Sequence, residues 1–140
     1  MLRLIFLIWE FPQNFLGLIV FAVMRHKHKV ISTEKESRHL FIETPVTGVS
    51  LGYFIFWTPA GNRFSHLIND CRMHEYGHSR QSALLGPLYL VVVGIPSLAR
   101  VLYGMRFKRK FGYQWPNYFN AFPESWADKL GGVSSGESHQ

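Results

Sequence analysis

The chain has 140 residues, which is enough for one domain with a hydrophobic core and leaves little room for a second. Hydrophobic residues make up 47% of it and aromatic residues 16%, so it is more apolar than a typical soluble domain and membrane contact is expected. The net charge is +6, from 15 Lys and Arg against 9 Asp and Glu. The single cysteine, Cys71, excludes an intramolecular disulfide and favours a reducing compartment.

The positive charge is concentrated in two clusters, residues 25–29 and 106–110, and each cluster directly follows an apolar stretch. This juxtamembrane placement of Lys and Arg is typical of contact with anionic lipid headgroups. The sequence has no zinc-finger spacing, no RRM consensus and no recognition helix with a Lys/Arg face. An anionic membrane surface is therefore an expected partner, and nucleic acid is not.

The first apolar stretch, residues 2–24, has about the 20 residues that a membrane-spanning helix needs. Glu10, Gln13 and Asn14 interrupt it near its middle, where polar groups are costly in lipid. Because it is long and broken, retention as an anchor is favoured over a cleaved signal peptide. We expect residues 1–30 to be a membrane-associated segment whose kinked or re-entrant helix turns its polar side towards protein. A buried helix of a soluble domain is the alternative.

The next segment, residues 38–58, has the β-branched and aromatic composition of strands. It predicts a hairpin or meander, with a turn at residues 45–48 and a second strand over 49–57. This aromatic strand should line a cleft, and an extended peptide could pair with its edge.

A helix should follow the strands, with Asn62 or Ser65 as its N-cap, and should run to about Ser82 before the helix-breaking Gly86-Pro87 pair. The rest of the chain divides into a second apolar stretch (88–103), a basic aromatic loop (105–120), a short helix from Pro123 to about Leu130 that ends at Gly131-Gly132, and a tail expected to be disordered (134–140). Residues 31–133 are expected to form one metal-binding domain.

The expected helix carries the motif His74-Glu75-Tyr76-Gly77-His78. Two histidines four residues apart lie one turn apart on the same helix face, so both imidazoles can bind one ion at about 2.0–2.1 Å. Glu75 lies one residue further round the helix, where its carboxylate can accept a proton from water on that ion. This pattern predicts zinc-dependent hydrolysis, and amide bonds are its natural substrate.

A second pair, Glu124 and Asp128, is also spaced four residues apart and offers a third ligand. With this pair the sequence resembles the gluzincins, the thermolysin-like zinc peptidases, in which HExxH is followed on a later helix by ExxxD. The resemblance implies that His74, His78 and Glu124 bind zinc and that Glu75 is the general base. It also implies that Asp128 supports His74 by fixing the orientation of its ring.

The resemblance covers two short helices and the order of strand before helix, and it implies an α+β, zincin-like fold. The chain departs from the family in its longer interval between the two motifs, which contains the apolar residues 88–103. The runs 74–90 and 126–133 also resemble a group of small bacterial membrane-associated proteins, and this second resemblance carries no mechanism.

Several other side chains are candidates for lesser roles. His66 is two helical turns from His74, too far to share its ion, so it is a surface or substrate-side residue with a possible part in oxyanion stabilisation. Asp70 rivals Asp128 as the support for His74. Cys71 lies three residues before His74 and could bind zinc as a thiolate, but an isolated cysteine is more often a small buried hydrophobic residue, and this is the favoured interpretation. His26 and His28 belong to a solvated or lipid-facing basic cluster, and Tyr89, Tyr113 and Tyr118 are equivalent candidates for the oxyanion.

The two apolar stretches constrain the topology. If residues 2–24 and 88–103 each crossed a bilayer once, His74 and Glu124 would lie on opposite sides and could not share zinc. The second stretch is therefore predicted to be re-entrant or a buried core helix. The function that the sequence predicts is a membrane-associated zinc metallopeptidase, acting on a peptide or protein, with its catalytic part in the cytoplasm. The alternative is a non-catalytic membrane adaptor or effector module whose histidine helix is structural.

Overall fold

The computed structural model describes residues 2–45, 48–59, 68–118 and 120–133; side chains are described from residue 4 and, in the third range, from residue 71. Within these ranges the chain is a mixed α+β structure with five α-helices and one four-stranded sheet, so the predicted α+β class is confirmed. Outside the described residues lie the candidate caps Asn62 and Ser65, His66, the Asp70 side chain and the tail 134–140.

The N-terminal apolar stretch forms two helices, α1 (Leu2–Trp9) and α2 (Phe11–His26), which meet at a bend. Glu10 leaves the helical region there, with φ −100° and ψ 24°, and a proline follows in the first turn of α2. Proline lacks the amide hydrogen that would continue the helix, so the bend has a local cause. Glu10 and Gln13 are buried, so the polar side faces protein as predicted.

The sheet contains β1 (Ser32–Glu36), β2 (His39–Glu43), β3 (Val49–Leu51) and β4 (Phe54–Trp57) in the order β1-β2-β4-β3. The outer pairs, β1–β2 and β3–β4, are antiparallel hairpins, but β2 and β4 are parallel, so the sheet is not a meander. The two central strands are the most apolar ones, as expected for strands covered on both faces. They carry the core residues Phe41, Ile42, Ile55 and Phe56.

Two details of the sheet differ from the sequence prediction. Residues 49–57, predicted as one strand, form two, because Gly52 adopts a φ of +63° that allows a tight turn. The polar strand β1 is fully exposed and has no hydrophobic alternation, which is why its composition gave no strand signal.

Helix α3 (Ile68–Leu85) carries the histidine motif and packs on one face of the sheet, where the Tyr76 ring lies 6.4 Å from that of Phe41. Helix α2 packs on the other face, with the rings of Phe21 and Phe54 6.0 Å apart. Phe41 pairs with Ile55, the neighbour of Phe54, and adjacent residues of a strand point to opposite faces. The motif helix is thus held against the sheet on the side opposite α2.

A buried polar network joins the N-terminal helices to the end of α3. Glu10 accepts a hydrogen bond of 2.5 Å from Ser82 and forms a 2.6 Å ion pair with Arg38. The Gln13 amide donates to Ser82 Oγ at 3.1 Å and to the Gly86 carbonyl at 2.7 Å. These bonds satisfy the Glu10 carboxylate and the Nε2 group of Gln13, which would otherwise be costly in an apolar helix.

After Gly86 the chain makes a short 3₁₀ turn, a π-helical turn (Leu90–Gly94) and helix α4 (Ile95–Phe111). The segment Leu90–Phe111 is the one helix among the described residues that is long and apolar enough to cross a membrane. Only 6% of its most apolar part is buried, so of the two predicted alternatives, a re-entrant segment and a buried core helix, the buried core helix is wrong. The helix also continues through the basic cluster predicted as a loop, and it ends at Gly112, whose φ of +80° provides a left-handed cap.

After Gly112 the chain turns back along α4, and residues 113–118 form a return segment. The Arg100 guanidinium donates to the carbonyl oxygen of Asn117 at 2.6 Å, and the Trp115 ring lies 4.7 Å from that of Tyr103. This return segment brings the chain to helix α5 (Glu124–Gly131), which ends at the left-handed Gly132 close to the predicted boundary. The second motif, Glu124 to Asp128, therefore lies beside the first turns of α4.

Candidate metal centre

The site is built where α3 crosses α5, and two glycines let the helix backbones touch. A Cβ atom on Gly77 would overlap the carbonyl of Ala127, and one on Gly131 would overlap the carbonyl of Met73. Side chains normally hold packed helices 8–10 Å apart, so a glycine facing the partner backbone permits a closer approach. The crossing places the side chains of both motifs in contact.

Three side chains converge at this crossing. Nε2 of His74 lies 3.0 Å, and Nε2 of His78 3.1 Å, from the same Glu124 oxygen, Oε2. The potential ligand atoms of all three residues lie within 4.8 Å of one another. Ligands of a tetrahedral ion at about 2.0–2.1 Å are roughly 3.3 Å apart, so the two spacings to Glu124 Oε2 differ from those of a coordination shell by only a few tenths of an ångström.

The opposite ring nitrogen of each histidine is bound by a fixed acceptor. His74 Nδ1 lies 2.6 Å from Asp128 Oδ1, and His78 Nδ1 lies 2.7 Å from Gln81 Oε1. An acceptor at Nδ1 keeps the proton there and leaves Nε2 as the metal-binding atom. The Gln81 amide is itself held, because its Nε2 donates to the Pro123 carbonyl at 3.0 Å.

Two supporting residues were not predicted from the sequence. Gln81 follows His78 by three residues on the same helix face, and this i, i+3 spacing was a signal that could have found it. Ser97, in α4, donates a 2.6 Å hydrogen bond to Oε1 of Glu124 and leaves Oε2 facing the histidines. It lies in an apolar stretch with no local sign of a role in the site, so only the tertiary structure reveals it.

Glu75 is buried beside this cluster, with 7% of its surface exposed. Its Oε2 has no hydrogen-bond partner among the described residues, although buried carboxylate oxygens are normally bonded. Its Oε1 faces Gly48, where an added Cβ would come within 2.6 Å of it. Gly48 directly precedes β3, so the start of this edge strand lies against the Glu75 carboxylate.

The electrostatics of the cluster favour a cation between the carboxylates. Burial opposes protonation of His74, but its hydrogen bonds to Asp128 and Glu124 prevail and raise its pKa to about 10. Burial alone would raise the pKa of Glu124, yet its bonds to the two histidines bring that pKa below the usual range. For Glu75, burial prevails and the pKa is raised. A metal cation would take the place of the protons that these groups share.

The oxyanion candidates are distinguished by their surroundings. Tyr89 is buried, and its hydroxyl donates to a backbone carbonyl of β3. Tyr113 is more than half exposed and packs on Phe107. Tyr118 hydrogen-bonds Ser97, and burial together with the carboxylates of the cluster raises its pKa. Of the three, Tyr118 is thus connected to the side chain that holds Glu124. His26 and His28 are exposed at the end of α2.

Cys71 lies near the site, with its sulfur close to Gly48. Burial, followed by the charge of Glu75, raises the pKa of this thiol to about 11. Because the thiolate is the reactive form, iodoacetamide should modify Cys71 at pH 8 roughly 100-fold more slowly than a free thiol, and the rate should rise with pH up to about 11. Mass spectrometry of timed samples measures this, with urea-unfolded chain as control. Equal rates in folded and unfolded protein would contradict the burial.

Comparison of the chain with protein-family models, with curated proteins and with solved structures gave no match.

Proposed function

We propose that the protein is a zinc-dependent hydrolase, and specifically a membrane-associated metallopeptidase with a gluzincin-like site. The observation that carries the proposal is the convergence of His74, His78 and Glu124 on one point, with the Nδ1 atoms of both histidines bound by Asp128 and Gln81. An ordinary helix surface with two solvated histidines would have neither the shared carboxylate nor the two fixed ring orientations.

Zinc is the metal that best fits the donor set. Two imidazole nitrogens and one carboxylate oxygen, with a fourth position open, form the usual set of a catalytic zinc site. Calcium and magnesium prefer shells made of oxygen alone, and among the described residues only the Glu124 carboxylate is directed at the Nε2 atoms of both histidines. The pairing of Asp128 with His74 matches the carboxylate–histidine arrangement that supports zinc ligands.

Bound zinc would supply Lewis acidity, which lowers the pKa of water and polarises a carbonyl group. Glu75 then acts as the general base, and its unpartnered Oε2 is the atom that accepts the proton. The buried setting favours its neutral form, so the accepted proton can be held and passed on to a leaving amine. Glu124, fixed by Ser97, serves as a ligand and takes no proton.

A polypeptide substrate is supported by the edge of the sheet. Among the described strands, β3 pairs only with β4, so its other side is a free edge of the sheet, although the Ser50 carbonyl of this strand accepts a hydrogen bond from Tyr89. Gly48, at the start of this strand, lies against Glu75. An extended peptide that added to this edge would pass beside the general base, and its backbone would be held by hydrogen bonds that do not depend on sequence.

The surroundings of the site support placement at a membrane surface. Helix α4 has little buried surface, yet the exposed return segment that runs back along it contains irregular backbone and Arg100 is bonded to it. Exposed irregular backbone is not tolerated within hydrocarbon, so α4 would not cross as a single span. Shallow insertion of α1, α2 and the first part of α4 fits better, and the basic ends of α2 and α4 favour the cytoplasmic side.

Metal analysis of the full chain purified in detergent tests the proposal. We expect one equivalent of zinc per chain, and a chelator should lower the melting temperature because metal binding stabilises the folded state. In His78→Ala the zinc affinity should fall at least about 100-fold, because a ligand is lost outright. His26→Ala, which removes an exposed histidine, is the matched control and should keep its zinc. A zinc-free wild-type chain would reject the hydrolase and leave the non-catalytic adaptor.

A further inference from the structure

A long apolar groove lies on the face of α1 and α2 that turns towards the strand connections of the sheet. One wall is a helical stripe from Phe6 to Leu18, and the other is formed by the β1–β2 turn with Arg38 and the β3–β4 turn with Phe54. Its volume is about 540 Å³, within the range of small-molecule sites, and most of its exposed lining is apolar, although Glu10, Asn14, Lys35, Ser37 and Arg38 also contribute to it.

The dimensions of the groove fit one hydrocarbon chain. Twelve residues separate Phe6 from Leu18, which is at most about 18 Å of helix because α1 and α2 meet at a bend. An extended peptide would place unpaired backbone groups against an apolar wall. A straight alkyl chain advances roughly 1.25 Å per methylene, so about 14 methylenes match the length.

The groove is charged at one end only. Arg38 lies 4.4 Å from the Phe6 ring centroid and pairs with Glu10, so the β1–β2 turn marks the Phe6 end. Lys35 also lines the groove on this side, and it has no ion-pair partner among the described side chains. Arg38 and Glu10 offset each other, so Lys35 gives this end a net positive charge. The aromatic side chain of Phe54 lies towards the other end, against α2.

We infer that this groove binds one acyl chain of an anionic phospholipid. The alkyl chain lies between the stripe Phe6 to Leu18 and Phe54, and the headgroup phosphate lies at Lys35. The groove is open, and neighbouring apolar side chains of both helices, such as Ile8 and Ile19, are exposed. The lipid can therefore enter from the bilayer, with its second chain remaining in the membrane. This assignment is independent of the proposed hydrolase.

Native mass spectrometry of the full chain in detergent tests this inference, with phosphatidylglycerol and phosphatidylcholine as probes. We expect one phosphatidylglycerol to be retained per chain, with at least a fivefold preference over phosphatidylcholine. Leu18→Asn should reduce retention at least tenfold, whereas Ile19→Asn should not, because both side chains are about half exposed and only Leu18 lines the groove. Lys35→Gln should abolish the headgroup preference, with Lys129→Gln, an exposed lysine of α5 outside the groove and both basic clusters, as its control.

A photoreactive acyl chain on the same lipid maps the site directly, and its adducts should fall between Phe6 and Leu18 and at Phe54. Adducts spread evenly over the exposed faces of both helices would overturn the inference in favour of general membrane insertion. Equal loss of lipid in Leu18→Asn and Ile19→Asn would overturn it as well. Retention of a free fatty acid in place of the phospholipid, or an unchanged preference in Lys35→Gln, would reject the assigned headgroup and with it the inference.

Discussion

Replacing Glu75 with glutamine is expected to lower kcat/KM for peptide cleavage by roughly 10²–10⁴-fold while one zinc per chain remains bound. Glutamine has nearly the same shape as glutamate but cannot accept the proton of the attacking water. Glu75 is not among the three converging ligands, and its Oε2 lacks a partner among the described residues. Cleavage of a quenched fluorescent peptide library, together with zinc analysis of the same samples, separates loss of the base from loss of the metal.

Glu34→Gln provides the matched control for this variant. Glu34 is an exposed carboxylate of β1 that pairs with Arg72, and exposed ion pairs contribute little to stability. This variant should retain both activity and zinc. Full activity in Glu75→Gln would remove Glu75 from the mechanism. Loss of zinc in Glu75→Gln would instead mean that this residue holds the metal, which contradicts the division of roles between Glu75 and Glu124.

The residues of the candidate site could be predicted from the sequence because the strongest signals, the spacings within each motif, are local. His74 and His78 share a helix face by their spacing alone, and the same reasoning applies to Glu124 and Asp128. The structure brings these two pairs together, with the carboxylate of Glu124 between the histidines. That the four side chains belong to one site depended on resemblance to a family, since no spacing rule joins residues 46 or more positions apart.

What the sequence did not reveal depends on tertiary contacts. Ser97 reaches Glu124 only because the return segment folds back along α4. The composition of that segment predicted a loop but did not indicate where the loop would run. The order of the strands was equally hidden, because the parallel pairing of β2 with β4 depends on which strands the helices cover. The exposure of α4 was missed because an apolar pattern is the same for a protein core and for a lipid-facing surface.

The motif glycine, Gly77, is expected to be as important as a ligand although it binds nothing. In Gly77→Ala the new methyl group would overlap the backbone carbonyl of Ala127, and a backbone atom cannot move aside as a flexible side chain can. Alanine favours a helix over glycine by about 1 kcal/mol, but overpacking costs typically about 1–3 kcal/mol and a backbone clash lies at the upper end. We expect a net loss of about 2 kcal/mol in stability and a zinc affinity reduced about 10–100-fold, because α5 carries Glu124 and Asp128 away from the histidines.

Gly104→Ala, in the interior of α4, separates these two effects. It gives the same gain in helix propensity, but its new methyl group would meet only the Tyr118 ring, at an ordinary contact distance of 3.8 Å. This control should be at least as stable as the wild type and should keep its zinc. Melting temperature and zinc dissociation constants, measured in the same detergent, give both comparisons. If Gly77→Ala behaved like Gly104→Ala, the backbone contact between α3 and α5 would not be what holds the two motifs together, and a larger substituent at Gly131 would then also be tolerated.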